Sequence, residues 1–217
     1  MSERPTDDAV IAAQADDVTR GLSVDIDDST QHAVQSLSQT YPTSVDDLWE
    51  ACTEPERLAR WFAPVSGDLR PGGRYAIEGN ASGTIEVCEA PRTFAITWEF
   101  GGGTSQVSVR VDPDGDGARL TLEHAATAEA GSEFWTRYGP GATGVGWDLS
   151  LLGLALHLKA GTGRPEDEEA FAQTPAVQRF IRASSAAWGE ASAAAGTPEP
   201  EARAAAERTT AFYLGED

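Results

Sequence analysis

Between Leu69 and Leu122 the apolar residues fall at every second position, in short runs broken by turn residues. Leu69-Arg70-Pro71-Gly72-Gly73-Arg74-Tyr75-Ala76-Ile77 reads as a turn and a strand. Gly83 to Cys88 reads as a strand with Ile85 and Val87 on one face. Phe94, Ile96, Trp98 and Phe100 share a face of the next strand, and Val107, Val109 and Val111 a face of the one after. Leu120 and Leu122 alternate in the last. Strands this short, joined by Glu89-Ala90-Pro91-Arg92, Gly101-Gly102-Gly103 and Asp112 to Gly117, predict an antiparallel meander of five or six strands.

The period is helical on either side of the meander. Thr43 or Ser44 can cap a helix carrying Val45, Leu48, Trp49 and Cys52. Thr53-Glu54-Pro55-Glu56 predicts a second cap with Pro in the first turn, leading into Leu58, Trp61 and Phe62. Two short helices therefore abut after a weakly patterned strand, His32 to Tyr41. Gly141 to Leu158 is a long helix with two apolar sides. Trp147, Leu151, Leu154 and Leu158 line one, and Val145, Leu149, Leu152 and Leu156 the other. Such a helix is buried on both sides, so one side should rest in a curved sheet and the other needs a cover. The cover is expected from two more helices. One starts at Thr174-Pro175 with Val177, Phe180, Ile181, Ser184 and Trp188 on a stripe; the other starts at Thr197-Pro198 and ends near Leu214. The expected organisation is an acidic, loosely ordered lead-in over residues 1–30 with an edge strand near Leu22–Ile26, a domain over 31–160, and a helical extension over 161–217.

Composition narrows the function classes. A chain of 217 residues with 40% hydrophobic content and six Trp can bury one good core. A net charge of -19 argues against nucleic acid and against anionic membranes, both of which select clustered Lys and Arg. The N-terminus, Met1 to Asp8, lacks a basic n-region and an apolar run, and Leu149 to Leu158 is too short to span a bilayer. The expectation is a cytoplasmic protein without membrane insertion, and Cys52 and Cys88 are expected to be buried free thiols.

Two motifs mislead. Asp112-Pro113-Asp114-Gly115-Asp116-Gly117, followed by Glu123, fits the EF-hand loop pattern, yet strand-period residues flank and enter it, so it reads as a hairpin turn. Gly101-Gly102-Gly103 has no following helix and no nearby Lys to bind phosphate. His32, His124 and His157 lack partners at ligand spacing. No metal and no cofactor are expected.

The order strand, two short helices, meander, long helix carries a resemblance. Tyr41-Pro42, Leu48-Trp49 and Thr53-Glu54-Pro55-Glu56-Arg57-Leu58-Ala59-Arg60-Trp61-Phe62 resemble the opening of START/Bet v 1-like (SRPBCC) proteins similar to the C-terminal domain of the activator of Hsp90 ATPase. Leu69 to Tyr75, Gly83 to Val87, Pro91-Arg92, Thr97-Trp98 and Gly144-Val145-Gly146-Trp147 continue it, over about residues 31–160. The resemblance implies an α+β helix-grip fold: a curved antiparallel sheet wrapped around a long helix, with an elongated cavity between them. Members bind lipids, sterols, hormones or polyketides, and some are cyclases or hydrolases. The namesake is a co-chaperone that meets an acidic partner through basic surface, a role that this acidic chain does not suit.

Within that frame the expected ligand-binding residues are Trp61, Phe62, Tyr75, Trp98, Trp147, Leu151 and Leu154, with Phe134, Trp135 and Tyr138 closing the mouth. The expected function is non-catalytic binding of a small apolar or aromatic ligand. Asp148, His157 and Tyr138 are the candidate acids or bases if the scaffold instead serves a cyclase, dehydratase or hydrolase. A third reading makes the C-terminal helices an interaction surface, for a partner protein or for a homodimer.

Overall fold

A computed structural model describes residues 4–216. Helix α1 (Asp7–Asp17) leads into strands β1 (Thr19–Asp27) and β2 (Thr30–Tyr41). Helices α2 (Val45–Thr53) and α3 (Pro55–Trp61) follow, then β3 (Val65–Gly67), β4 (Arg74–Ile77), β5 (Ser82–Glu89), β6 (Thr93–Phe100), β7 (Gly103–Asp114) and β8 (Gly117–Glu129). The chain ends in α4 (Glu133–Tyr138), α5 (Gly141–Ala155) running into a π-helical turn (Leu156–Ala160), then α6 (Glu168–Ala172), α7 (Pro175–Ala194) and α8 (Glu199–Leu214). The strands form one antiparallel sheet of eight in the order β1-β2-β8-β7-β6-β5-β4-β3. The curved sheet packed on α5 is the helix-grip fold.

Local chemistry explains most elements. Ser44 accepts the Asp47 N–H at 3.2 Å and starts α2. At α3 the expected capping box does not form. Thr53 belongs to α2 and turns its hydroxyl back to the Trp49 carbonyl, while Glu54 stands at the N-cap without a side-chain bond and Pro55 opens the helix. The β6–β7 turn has Gly101 at φ 59° and Gly102 at φ 82°, which suits a tight hairpin. The EF-hand-like segment is the β7–β8 hairpin, with Asp114 opposite Gly117. The Asp114 carboxylate is held there by Thr40 and Arg119.

The lead-in differs from expectation. Residues 7–17 are a helix, and the expected edge strand is β1, paired with β2 along its whole length. Val10 and Ile11 are buried, and so is Gln14, whose amide exchanges two hydrogen bonds of 2.9 Å with Gln39. The helix was hidden because its inner contact is partly an amide pair and shows no apolar stripe. Only residues 1–3 of the lead-in lie outside the described residues. The same pair explains why β2 reads weakly. Gln31, Ala33, Gln35, Leu37, Gln39 and Tyr41 all face inward. The Gln35 amide donates to the Pro140 carbonyl at 2.7 Å, and Tyr41 donates to Gln39 at 2.8 Å. Buried amides are tolerated where their partners are supplied.

Helix α5 is covered on its outer side by α7. Val177, Phe180, Ile181, Ser184 and Trp188 are all buried. The approach depends on Gly144, where a Cβ would stand 2.2 Å from the Trp188 ring.

Candidate functional site

The inner face of the sheet and the sheet-facing side of α5 leave a cavity of about 170 Å³ between them, capped by α2 and α3. Helix α5 contributes Trp147, Ser150, Leu151 and Leu154. The α2–α3 corner contributes Cys52, Thr53, Leu58, Trp61 and Phe62. The strands contribute the inward members of their alternation, among them Tyr75, Ile77, Phe94, Ile96, Trp98, Val107 and Leu122. Trp61, Phe62, Tyr75, Trp98, Trp147, Leu151 and Leu154 are therefore brought together on one surface.

Phe134, Trp135 and Tyr138 are not part of it, which corrects the expected mouth. They lie on α4, which packs on α8. Tyr138 stacks between Phe134 and Phe212, with ring centroids 5.4 and 5.5 Å away, and Phe134 is 60% exposed. The run belongs to the helical cover, where Phe212 of α8 receives the Tyr138 ring.

A different segment reaches the surface beside the cavity. Strand β5 bulges between Ile85, opposite Ile96, and Val87, opposite Ala95. The extra residue reverses the alternation, so Ile85 and Cys88 line the cavity while Val87 points away and is 41% exposed. Ile85 and Val87 do not share a face, as plain alternation predicts. Cys88 is exposed rather than buried, because the bulge carries it to the rim. Cys52 is half-buried, and burial pushes its thiol up to about 12.

The candidate acids and bases stand elsewhere. Asp148 is fully buried on the far side of α5. It accepts two bonds from Arg20 at 2.9 and 2.8 Å, one from the Ser184 hydroxyl at 2.6 Å and one from the Trp188 indole at 2.8 Å. Three of these bonds converge on Oδ2 and one on Oδ1, and together they tie β1, α5 and α7 on the side of α5 turned away from the cavity. His157, on the π-helical turn, is held below its usual range by burial and then by Arg57 and Arg60. It faces the α2–α3 corner and does not line the cavity.

His124, on β8, is the ionisable side chain that sequence reasoning passed over. The Trp147 indole donates to its Nδ1 at 2.9 Å. With Nδ1 accepting, the neutral ring carries its proton on Nε2 and donates it to Ser105 Oγ at 2.7 Å. The Ser105 hydroxyl in turn donates to the Trp98 carbonyl at 3.3 Å. A serine nucleophile needs the opposite tautomer, with Nε2 bare to take the hydroxyl proton. The group therefore fixes the Trp147 indole and ties it to the backbone of Trp98, whose ring lies 5.0 Å away between centroids.

Burial lowers the His124 pKa to about 4. The unfolded chain binds this proton from near pH 6.5 downward and the folded chain does not until near pH 4, so stability falls as pH falls through that window. Between pH 7 and pH 5 the loss should be about 2 kcal/mol. Urea unfolding at the two pH values tests this, with His124→Gln as reference. An equal decline in the variant would assign it to other groups.

The comparisons with known proteins agree with this geometry. The solution structure of CalU16 from Micromonospora echinospora is 34% identical, with a TM-score of 0.68 over 82% of this chain and 97% of that one. The crystal structure of CalU16 is 32% identical, with a TM-score of 0.60 over 80% and 97%. EF2215 from Enterococcus faecalis, described as a conserved protein of unknown function, shares the fold at 14% identity and a TM-score of 0.56, over 82% of this chain and 95% of that one. No curated protein matches. The family model described as "Activator of Hsp90 ATPase homolog 1-like protein" matches residues 42–159, from the start of the α2–α3 corner to the end of the grip helix. That span contains every element lining the cavity, and the chain belongs to this family.

Proposed function

We propose that the protein binds a small apolar or aromatic molecule in the cavity between sheet and α5, without catalysing its conversion and without a metal or cofactor. The observation that carries this reading is the state of the lining. Its polar groups are few, and most are already bonded within the protein. Tyr75 donates to the Thr97 carbonyl, Ser150 to Gly146, Thr53 to Trp49, and Trp61 to Ala51. An apolar surface with its polar atoms satisfied offers affinity by burial and no group placed to move a proton. An engineered cavity of about 150 Å³ holds benzene, so a single substituted ring matches the space here.

In this reading residues 31–160 form the binding unit. Helix α1 and strand β1 from the first 30 residues, and α7 and α8 from the extension over 161–217, brace its outer side. Among the described residues no helix is long and apolar enough to cross a membrane. An exposed Cys88 thiol suits a reducing compartment, which supports a cytoplasmic site of action.

Native mass spectrometry of the freshly purified protein, with analysis of its organic extract, tests the reading. A small molecule that stays bound natively and is released on denaturation is the expected result. The variant Val107→Phe, which pushes a ring into the cavity, should lose it. A clean protein mass, unchanged after incubation with lipid and aromatic panels, would overturn the proposal.

A further inference from the structure

The cavity wall selects on charge as well as on shape. Among the described residues, no Asp, Glu, Lys, Arg or His side chain lines it. The carboxylate next to Trp147 in sequence, Asp148, points to the other side of α5 and is neutralised there by Arg20. His124 lies behind Trp147 and is neutral at physiological pH. The ionisable groups that do line the cavity include Tyr75 and Cys52, each pushed up to about 12 by burial, so both remain protonated and uncharged. Away from the rim, where Cys88 is exposed, the wall thus carries no counter-charge for a ligand.

From this we infer that the cavity admits only electroneutral molecules, and that a ring bearing a carboxylate or an ammonium is excluded although its ring fits. The inference rests on the binding reading above and deepens it to a ligand class. An ion leaving water loses its hydration, and here no partner replaces it. For anions the net charge of -19 adds a repulsive field. For cations the case is closer, because that field attracts them and aromatic faces such as Trp61, Trp98 and Trp147 can bind them. Ring faces without a carboxylate recover only part of the lost hydration, so cations are rejected too.

Four probes sharing a 4-methylphenyl ring test this at pH 7.5: 4-methylanisole, p-cresol, 4-methylbenzoate and 4-methylbenzylammonium. Calorimetry gives the affinities, and the indole N–H signals of the protein report the place. The two neutral probes should bind and shift the signals of Trp61, Trp98 and Trp147, leaving Trp188 unmoved. Both ions should bind about 100-fold more weakly or not at all. An ion binding within tenfold of its neutral analogue, with the same indole shifts, overturns the inference and leaves the cavity as a binding site. Silence from all four probes overturns the binding reading, and the inference with it.

Discussion

Asp148→Ala should destabilise the protein by about 3–5 kcal/mol. The substitution leaves the Arg20 guanidinium, only 6% exposed, without its counter-charge in a site closed to water. It also strips the Ser184 hydroxyl and the Trp188 indole of their acceptor. Breaking one partner of a buried ion pair costs far more than the pair itself contributes, because the remaining charge stays desolvated. Asp148→Asn keeps the volume and should recover only part of the loss, since the amide offers one neutral oxygen where the carboxylate offered two charged ones. Urea unfolding at pH 7 measures both variants. A midpoint unchanged in Asp148→Ala would show that the carboxylate is solvated and free for chemistry, and would reopen the enzyme reading.

The second large effect reverses sign with its background. Gly144→Ala places a methyl group 2.2 Å from the Trp188 ring, a contact that neither a helix backbone nor a rigid indole can relieve cheaply. The expected loss is about 3 kcal/mol. Trp188→Ala alone should cost about 3–5 kcal/mol, because a fully buried indole leaves a hole and takes away one of the three donors on Asp148 Oδ2. In that second background Gly144→Ala should stabilise by about 1 kcal/mol, since Ala is the better helix former and its obstacle is gone. A double-mutant cycle reads the coupling directly. A Gly144→Ala cost that persists without Trp188 would show that the glycine serves the backbone of α5 and not the packing of α7.

Much of the cavity was legible because a half-buried sheet writes its inner face at every second position. Phe94, Ile96, Trp98, Val107, Val109, Leu120 and Leu122 follow that rule and all line the cavity. The two-sided helix was legible for a similar reason: Trp147, Leu151 and Leu154 recur at helical spacing, and the apolar opposite side demanded the cover that α7 provides.

The rest was hidden where polar groups do the packing. Gln14, Gln35 and Gln39 look like surface residues until their partners are known. Asp148 could equally have met solvent, because Arg20 lies 128 positions away in the chain. His124 offered no metal-ligand spacing, and its role comes from one bond to an indole on another element. The aromatic run of α4 gave no sign of whether sheet or helix would receive it.

The bulge in β5 shows how a strand of this cavity wall can absorb a change in length. One extra residue at Glu86 is looped out of the ladder, and the pairing resumes with Val87 opposite Ala95 and Cys88 opposite Phe94. A chain shortened by that residue would form the same pairs in regular alternation, with Val87 still outside and Cys88 still in the wall. A one-residue insertion or deletion at this point therefore leaves the lining intact. Relatives aligned without regard to the bulge will be compared across opposite faces of the sheet.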